Sequence, residues 1–412
     1  MPNSCHLAQP SRARRATSWL ASLALATGCL FQAVSAQTAP AAEPAAAEPV
    51  ENAVSALSSI PAPDVNARAW MTLDANSNQV IGAQLPDSRV EPASLTKLMS
   101  VYVIFQALHE NKLSLKDPVL ISEKAWKTEG SRMFADVNSQ VTVDELLYGL
   151  IVQSGNDATV ALAEAVAGSE EAFVARMNDE AKRQGLANTH FTNAPGLPDP
   201  KHYTSVRDLA VLARNLIHDF PEALHYYSTK EFTYNKIRQP NRNRLLWLDP
   251  TVDGLKTGHT SSAGYCLIST ALRDGRRVIS VLVGADSDAA RTESSLKLLN
   301  WSFQNFDTIK LFDDAKPAVQ ARVWEGTQDQ VNLGQPEPTW VTVPRGKAEQ
   351  IQPVAQYRQP LIAPLTKGTQ VGTVTLTLDG QTLSQAPLTI LQDVPQAGFF
   401  SRMTDKVMRM FD

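Results

Sequence analysis

Residues 91–108 read Glu-Pro-Ala-Ser-Leu-Thr-Lys-Leu-Met-Ser-Val-Tyr-Val-Ile-Phe-Gln-Ala-Leu. From residue 95 onward the run is apolar on nearly every side of a helical projection. A helix without a polar face must be covered by other elements all round, so the run predicts a central, buried helix over 95–108. Pro92 is well suited to a helix start. Ser94 is then expected in the first turn, with Lys97 on the same face because residues three apart are neighbours.

Other elements are predicted on both sides of this helix. Two strands precede it, helices follow it, and an Asp-Gly turn joins two apolar strands before a closing helix. The predicted strands are 68–73, 79–83, 264–271 and 276–284, and the predicted helices are 143–151, 157–167, 170–184, 205–218 and 294–306. Helices in the middle with strands from both ends predict one α/β catalytic domain over residues 64–308.

The sequence pattern changes after this domain. Short β-rich runs punctuated by Pro and Gly predict a small all-β domain over 309–394. Residues 395–412 are predicted to form an amphipathic helix. Its apolar side carries Phe399, Phe400, Met403, Val407, Met410 and Phe411, and its opposite side carries Arg402, Asp405, Lys406 and Arg409. This pattern is typical of a helix lying on a membrane surface, and the alternative is a helix docked on the β-domain or on a partner protein.

The N-terminus predicts export. Basic residues, a short apolar stretch and small residues before Gln37 are typical of a secretory signal peptide over 1–36. A lipoprotein-processing site at Cys29 is the alternative. Residues 37–63 are mostly Ala, Pro and Glu and predict a linker. The mature chain would keep only Cys266, expected to be a buried structural thiol, so no intramolecular disulfide can form.

Composition excludes several classes of protein. The 412 residues suggest roughly two or three domains, and 43% hydrophobic with 19% charged residues excludes full-length disorder. A net charge of -4, from 38 Lys and Arg against 42 Asp and Glu, argues against a nucleic-acid binder. Neither metal-ligand spacing nor a phosphate-binding loop occurs, so no metal or cofactor is expected.

Three short motifs carry the chemistry. Ser94-Leu95-Thr96-Lys97 places a hydroxyl beside an amine at a helix N-terminus, where the helix dipole disfavours a protonated Lys. A neutral Lys97 could then act as the base for a Ser nucleophile. Ser154-Gly155-Asn156 precedes a helix, and Lys256-Thr257-Gly258 leads toward the predicted strand 264–271. Each motif alone is weak, because turns, caps and strand ends explain it equally well; together and in this order they are a strong signal.

The three motifs resemble the signature of penicillin-binding proteins and class A β-lactamases. Gly155, where class A β-lactamases carry Asp, makes the chain more similar to the low-molecular-mass penicillin-binding proteins, which are serine D-alanyl-D-alanine carboxypeptidases. Further resemblance lies in residues 91–99, 153–158, 188–191, 239–243 and 252–260. It implies an antiparallel sheet with a helical cluster, followed by the β-domain and the C-terminal helix.

The resemblance also implies roles for residues. Ser94 would attack the D-Ala–D-Ala bond of the peptidoglycan stem peptide, with Lys97 as its base. Ser154 and a cationic Lys256 would relay the proton to the leaving amine. Asn156 would bind the peptide amide. The backbone N–H groups of Ser94 and of His259, the residue after Gly258, would bind the oxyanion. Thr257, Arg242 and Arg291 would bind the substrate carboxylate.

Three other functions stay open. A β-lactamase would need a Glu for deacylation, and none occurs between residues 181 and 221. A DD-endopeptidase would cut cross-links with the same site. A wall-binding module without activity would have lost Ser94 or Lys97, and both are present. The expected partners are therefore the stem peptide, β-lactams as covalent inhibitors and, through the helix 395–412, the outer face of the inner membrane from the periplasm.

Overall fold

The computed structural model describes residues 57, 60–312, 317–335 and 338–410. The predicted signal peptide, Cys29 and nearly all of the linker 37–63 lie outside these residues. Within the described ranges, none of the helices combines the length and apolar character that a membrane span requires.

A five-stranded antiparallel sheet forms the base of the catalytic domain, in the order β2-β1-β9-β8-β7. Its strands are β1 (Ala69–Asp74), β2 (Val80–Gln84), β7 (Val252–Thr260), β8 (Gly264–Arg273) and β9 (Arg276–Ala285). Asp274 and Gly275 both have positive φ, 50° and 78°, as the two-residue turn between β8 and β9 requires. Strand β7 lies at one edge, so the sheet leaves one side of that strand unpaired.

Helices pack on this sheet around one central helix. They are α1 (Lys97–His109), α2 (Glu123–Lys127), α3 (Val143–Ile151), α4 (Asn156–Ala167), α5 (Glu170–Arg183), α6 (Val206–Asp219), α7 (Leu224–Ser228), α8 (Leu245–Leu248) and α9 (Asp288–Asn305). Helix α1 is buried on every side, from Lys97 to Phe105 without interruption. The prediction of a central helix is confirmed, with a 3₁₀ turn over Ala93–Thr96 at its start.

Two sequence predictions were wrong in this domain. Lys256, Thr257 and Gly258 do not merely lead toward a strand: they lie inside β7, which pairs along its length with β8. Helix α9 begins at Asp288, six residues before the predicted start, because the Ser287 side chain accepts a hydrogen bond from the backbone of Ala290 and caps it. Two short antiparallel strand pairs were also unpredicted: β3 (Pro118–Leu120) with β4 (Gln140–Thr142), and the hairpin of β5 (Glu231–Tyr234) with β6 (Ile237–Pro240).

The C-terminal part is all-β, as predicted. It comprises β10 (Phe306–Phe312), β11 (Val319–Trp324), β12 (Gln330–Gly334), β13 (Thr339–Pro344), β14 (Gln352–Tyr357), β15 (Leu361–Ile362), β16 (Gln370–Leu378) and β17 (Gln381–Ile390). Six of these strands form one sheet, and β10 pairs with β13 in another. A separate apolar core that includes Val341, Leu376 and Leu388 fills this domain.

A polar joint connects the two domains. The carboxylate of Asp74, which is fully buried, accepts from Arg276 Nε at 2.7 Å and from Thr308 Oγ1 at 2.6 Å. Ser77 Oγ lies 2.6 Å from Thr342 Oγ1, and the Thr342 backbone N–H donates to the side chain of Gln79. Since Thr308 and Thr342 belong to the paired strands β10 and β13, the joint connects the turn after β1 to the β-domain.

The C-terminal helix α10 (Phe399–Met408) has an unusual orientation. Its polar side faces the β-domain: the Glu325 backbone N–H donates to Asp405 at 2.6 Å, and Arg409 lies 3.7 Å from the Glu325 carboxylate. Its apolar side faces outward, and Phe400 and Met410 are 85% and 84% exposed. The β-domain therefore does not cover the apolar face of this helix.

Candidate active site

The three motifs meet in a cleft of about 860 Å³ between the helical cluster and the edge strand β7. Seven of the ten predicted site residues line it: Ser94, Ser154, Arg242, Thr257, Gly258, His259 and Arg291. The other three, Lys97, Asn156 and Lys256, are buried directly behind this lining. Distant parts of the chain are thus brought together as the sequence predicts.

Glycines allow close backbone packing around the turn that holds Ser94. Gly196 has a φ of +86°, and a Cβ built on it would lie 1.9 Å from the Ala93 carbonyl oxygen. On the other side, a Cβ on Gly258 would lie 3.2 Å from the Pro92 carbonyl oxygen. Any side chain at Gly196 would displace this turn, and even a methyl group at Gly258 would crowd it.

The Lys97 amine is held by three hydrogen-bonding groups. Its Nζ lies 2.7 Å from Asn156 Oδ1, 2.7 Å from the Pro195 carbonyl oxygen and 3.2 Å from Ser94 Oγ. The first two groups can only accept at these atoms. A neutral amine would direct its two N–H bonds to them and its lone pair to the Ser94 hydroxyl, which is the arrangement that a general base requires.

The surroundings of Lys97 favour this neutral form. Burial, and after it the positive charge of Arg242, lower the pKa of the amine to about 7, while Asp157 acts in the opposite direction. Near neutral pH a substantial fraction of Lys97 is therefore deprotonated and able to accept the Ser94 proton.

Ser154 has a strained backbone and an unpaired hydroxyl. It has a φ of +64°, which non-glycine residues rarely adopt, and its buried Oγ has no hydrogen-bond partner among the residues that the structure describes. A buried hydroxyl without a partner is costly, so this group is available to a reacting molecule in the cleft. Such strain is common at functional sites.

Asn156 holds Lys97 in place rather than pointing only to the cleft. Its Oδ1 accepts from Lys97, and its Nδ2 donates to the Glu129 carbonyl at 2.5 Å. An amide has two donors and two acceptor lone pairs, so one of each remains for a substrate amide.

The neighbouring Asp157 was not among the predicted site residues, and the structure gives it a structural role beside the cleft. Its carboxylate accepts from the backbone N–H groups of Met133, Phe134 and Ala135, at 2.9, 3.0 and 3.3 Å. These bonds fix the loop that brings Gly130 and Ser131 to the cleft. Sequence reasoning had no signal for this, because the partners are backbone groups of a distant loop.

Lys256 is fully buried in β7, where its Nζ donates to the Thr257 carbonyl at 3.0 Å. Burial lowers its pKa well below the usual value, and the charges of Lys97, Arg242 and Arg291 lower it further. These surroundings disfavour the protonated form of Lys256, which is the form that the resemblance implies.

Arginines line the end of the cleft. Arg291 on α9 forms an ion pair with Asp288, and its guanidinium lies 3.5 Å from the Arg242 carbonyl oxygen. Arg244 pairs with the same Asp288 carboxylate at 3.1 Å. Sequence reasoning missed Arg244, which directly precedes α8, and Asp288, which the early start of α9 brings to the cleft. With several guanidinium groups against one carboxylate, this end attracts a further anion.

Known proteins are similar to this chain along most of its length. A family described as D-alanyl-D-alanine carboxypeptidase matches residues 56–287, and the C-terminal domain of penicillin-binding protein 5 matches residues 306–396. D-alanyl-D-alanine carboxypeptidase DacC of Escherichia coli is 43% identical over 94% of this chain and 95% of its own length.

Solved structures are similar as well. Penicillin-binding protein 5 of Haemophilus influenzae is 42% identical, with a TM-score of 0.79 over 82% of this chain and all of the other. Penicillin-binding protein D2 of Listeria monocytogenes, solved in an ampicillin-bound form, is 30% identical, with a TM-score of 0.55 over 60% of this chain and all of its own.

Proposed function

The chain belongs to the D-alanyl-D-alanine carboxypeptidase family, and from this we propose that it releases the terminal D-Ala of peptidoglycan pentapeptide stems through an acyl-enzyme on Ser94. The observation that carries the assignment of roles is the environment of Lys97. Two fixed acceptors take its N–H bonds, and its third neighbour is the Ser94 hydroxyl at 3.2 Å.

Acylation follows from this geometry. Lys97 takes the proton of Ser94 as Oγ attacks the carbonyl carbon of the D-Ala–D-Ala bond. The backbone N–H groups of Ser94 and His259 stabilise the oxyanion of the tetrahedral intermediate. The C–N bond then breaks, and the leaving amine receives a proton through Ser154 and Lys256. Water hydrolyses the ester and restores Ser94.

Recognition of the substrate carboxylate is assigned to the cationic end of the cleft. Thr257, Arg242 and Arg291 line it, and a guanidinium binds a carboxylate through two parallel hydrogen bonds. A bound carboxylate beside Lys256 would also raise the pKa of that amine and so favour the protonated form that the leaving group needs.

The same site is a target for β-lactams, and its surroundings favour slow hydrolysis of the acyl-enzyme that the drug forms. Glu170 contacts the loop 187–196: its carboxylate accepts from the Ala194 N–H at 3.1 Å and pairs with Lys124 at 2.9 Å. Since the Glu170 carboxylate is engaged in these two contacts, its role is to support the loop and not to activate water. A β-lactamase is therefore the weaker alternative.

Incubation with a muropeptide mixture tests the activity. We expect pentapeptide stems to lose one D-Ala and become tetrapeptides, while cross-linked dimers keep their cross-link. Enzyme blocked beforehand with penicillin is the control. Conversion of dimers to monomers without release of D-Ala, measured by mass spectrometry, would instead assign an endopeptidase.

We further propose that the mature protein, after removal of residues 1–36, lies in the periplasm on the outer face of the inner membrane, with 37–63 as a linker, 64–308 as the catalytic domain and 309–394 as the β-domain. The orientation of α10 supports this attachment. A helix that docks its polar side and exposes Phe400 and Met410 leaves its apolar face for another surface. Lys406, which is exposed, would meet anionic lipid headgroups.

Removal of the C-terminal helix should detach the protein. Deletion of residues 399–412 is expected to move the protein to the soluble periplasmic fraction with unchanged activity on small peptides. Replacement of Phe400 and Val407 by Ser should do the same, because it removes apolar area that inserts into the lipid interface. Replacement of Ser401 and Thr404 by Ala, on the same helix, is the matched control. Truncated protein that still pellets with membranes after a salt wash would place the anchor elsewhere.

A further inference from the structure

The oxyanion hole proposed above is built from two separate elements. One N–H belongs to Ser94, in the 3₁₀ turn Ala93–Thr96, and the other belongs to His259, in β7. Among the described residues, no backbone hydrogen bond joins this turn to that strand. The distance between the two donors must therefore be fixed by packing and by side chains.

A side-chain bridge joins the two elements beside these donors. Glu91, three residues before Ser94, accepts from Thr260 Oγ1 at 2.8 Å through Oε1 and from Ser262 Oγ through Oε2. Thr260 directly follows His259, and Ser262 lies in the turn between β7 and β8. Both carboxylate oxygens are thus occupied by one short segment of the neighbouring strand and turn.

The bridge is itself held at its far end. Thr260 Oγ1 accepts from the Ala263 backbone N–H at 3.0 Å, and Arg68 donates to the Ser262 carbonyl at 3.1 Å. The near end is rigid too, because the Leu95 N–H donates to the Pro92 carbonyl at 3.0 Å and closes the turn that follows Glu91. Because both segments are rigid, the length of the bridge sets the distance between the Ser94 turn and strand β7.

We infer that Glu91, with Thr260 and Ser262, is a positioning residue that sets the distance between the two oxyanion donors. The inference rests on the proposed function, since it assigns a role within that catalytic site. Glu91 does not touch the reacting atoms and acts through the Ser94 turn and through His259. Donors must lie within hydrogen-bond distance of the position that the oxyanion will occupy. A small displacement of the donors therefore weakens binding of the transition state more than binding of the substrate.

The test compares four variants of the full mature chain. Glu91→Ala breaks the bridge, and Thr260→Val breaks one arm of it without changing the size of the side chain much. Glu91→Gln keeps an oxygen and adds an N–H₂ group, so it can bond both hydroxyls without a charge. Ser261→Ala is the matched control, because Ser261 is exposed and lies in the same turn.

We expect Glu91→Ala to slow acylation by a penicillin about 10- to 100-fold, the scale of a small misplacement of catalytic groups. Thr260→Val should slow it less, Glu91→Gln should stay within about threefold of the wild type, and Ser261→Ala should have no effect. The equilibrium constant for the non-covalent penicillin complex should not change. A boronic acid that forms a tetrahedral adduct on Ser94 should bind more weakly to Glu91→Ala by the same factor as the acylation rate falls.

Three results would overturn the inference. If the affinity for the boronate stays constant while the acylation rate falls, the oxyanion donors are not displaced. If Glu91→Gln is as slow as Glu91→Ala, the loss of rate is due to the charge of Glu91 and not to the bridge. Melting temperatures of the variants separate loss of folding from loss of position, and Thr260→Val provides the test if Glu91→Ala does not fold. Failure of the wild type to acylate would overturn the proposed function, whereas equal rates in wild type and Glu91→Ala would overturn this inference alone.

Discussion

Ser94→Ala is expected to abolish covalent labelling by a fluorescent penicillin and to reduce D-Ala release at least about 10⁴-fold, the scale of losing a nucleophile. The only contact that the Ser94 hydroxyl makes among the described residues is with Lys97 Nζ at 3.2 Å. The substitution removes one oxygen from the cleft wall and leaves the packing of the turn intact. The melting temperature should therefore stay close to that of the wild type.

Gel fluorescence and a D-Ala assay measure this loss. Ser261→Ala, at an exposed position outside the cleft, is the matched control and should label normally. Covalent labelling of Ser94→Ala that persists would mean that another residue forms the acyl-enzyme, and the assignment of the nucleophile would have to be abandoned.

Lys97→Arg should slow acylation by at least about a thousandfold, because a guanidinium does not lose its proton in a protein. The wild type should show the matching pH dependence. Since burial and the charge of Arg242 lower the pKa of Lys97 to about 7, the amine is mostly protonated and inactive below that pH. The acylation rate should rise from pH 6 to pH 8 and then level off, as the neutral fraction of Lys97 approaches one.

Stopped-flow measurement of acylation across this range checks both statements. A tenfold loss or less in Lys97→Arg would mean that another group is the base. A rate that is flat between pH 6 and pH 8 would mean that the titration of Lys97 does not limit the reaction.

The central helix, the fold class and the family could be predicted from the sequence because their signals are local. Residues 95–108 are apolar on nearly every side of a helical projection, and each of the three motifs is a contiguous stretch. Strand β7 was missed because Lys256 and Gly258 interrupt the pattern of a strand, although both are buried in it. The start of α9 was missed because residues 288–293 have little apolar periodicity, and Ser287 was not recognised as the cap.

The parts of the site that could not be predicted depend on backbone groups and on long-range contacts. The Pro195 carbonyl that holds Lys97 belongs to a residue whose side chain has no relevant chemistry. Asp157 acts on three backbone N–H groups more than 20 positions away along the chain. The burial of Lys256 near Lys97, Arg242 and Arg291, which disfavours its protonated form, cannot be read from the motif either.

The buried joint at Asp74 has a consequence for how the molecule unfolds. Rotation of the β-domain away from the catalytic domain would break the bonds from Thr308 to Asp74, from Thr342 to Gln79 and from Arg276 to the Phe306 carbonyl. It would leave a carboxylate with fewer partners in a site that water reaches poorly, which costs free energy. The two domains are therefore thermodynamically coupled. Disruption of either core therefore weakens the other. The joint also fixes the orientation of the cleft relative to the β-domain.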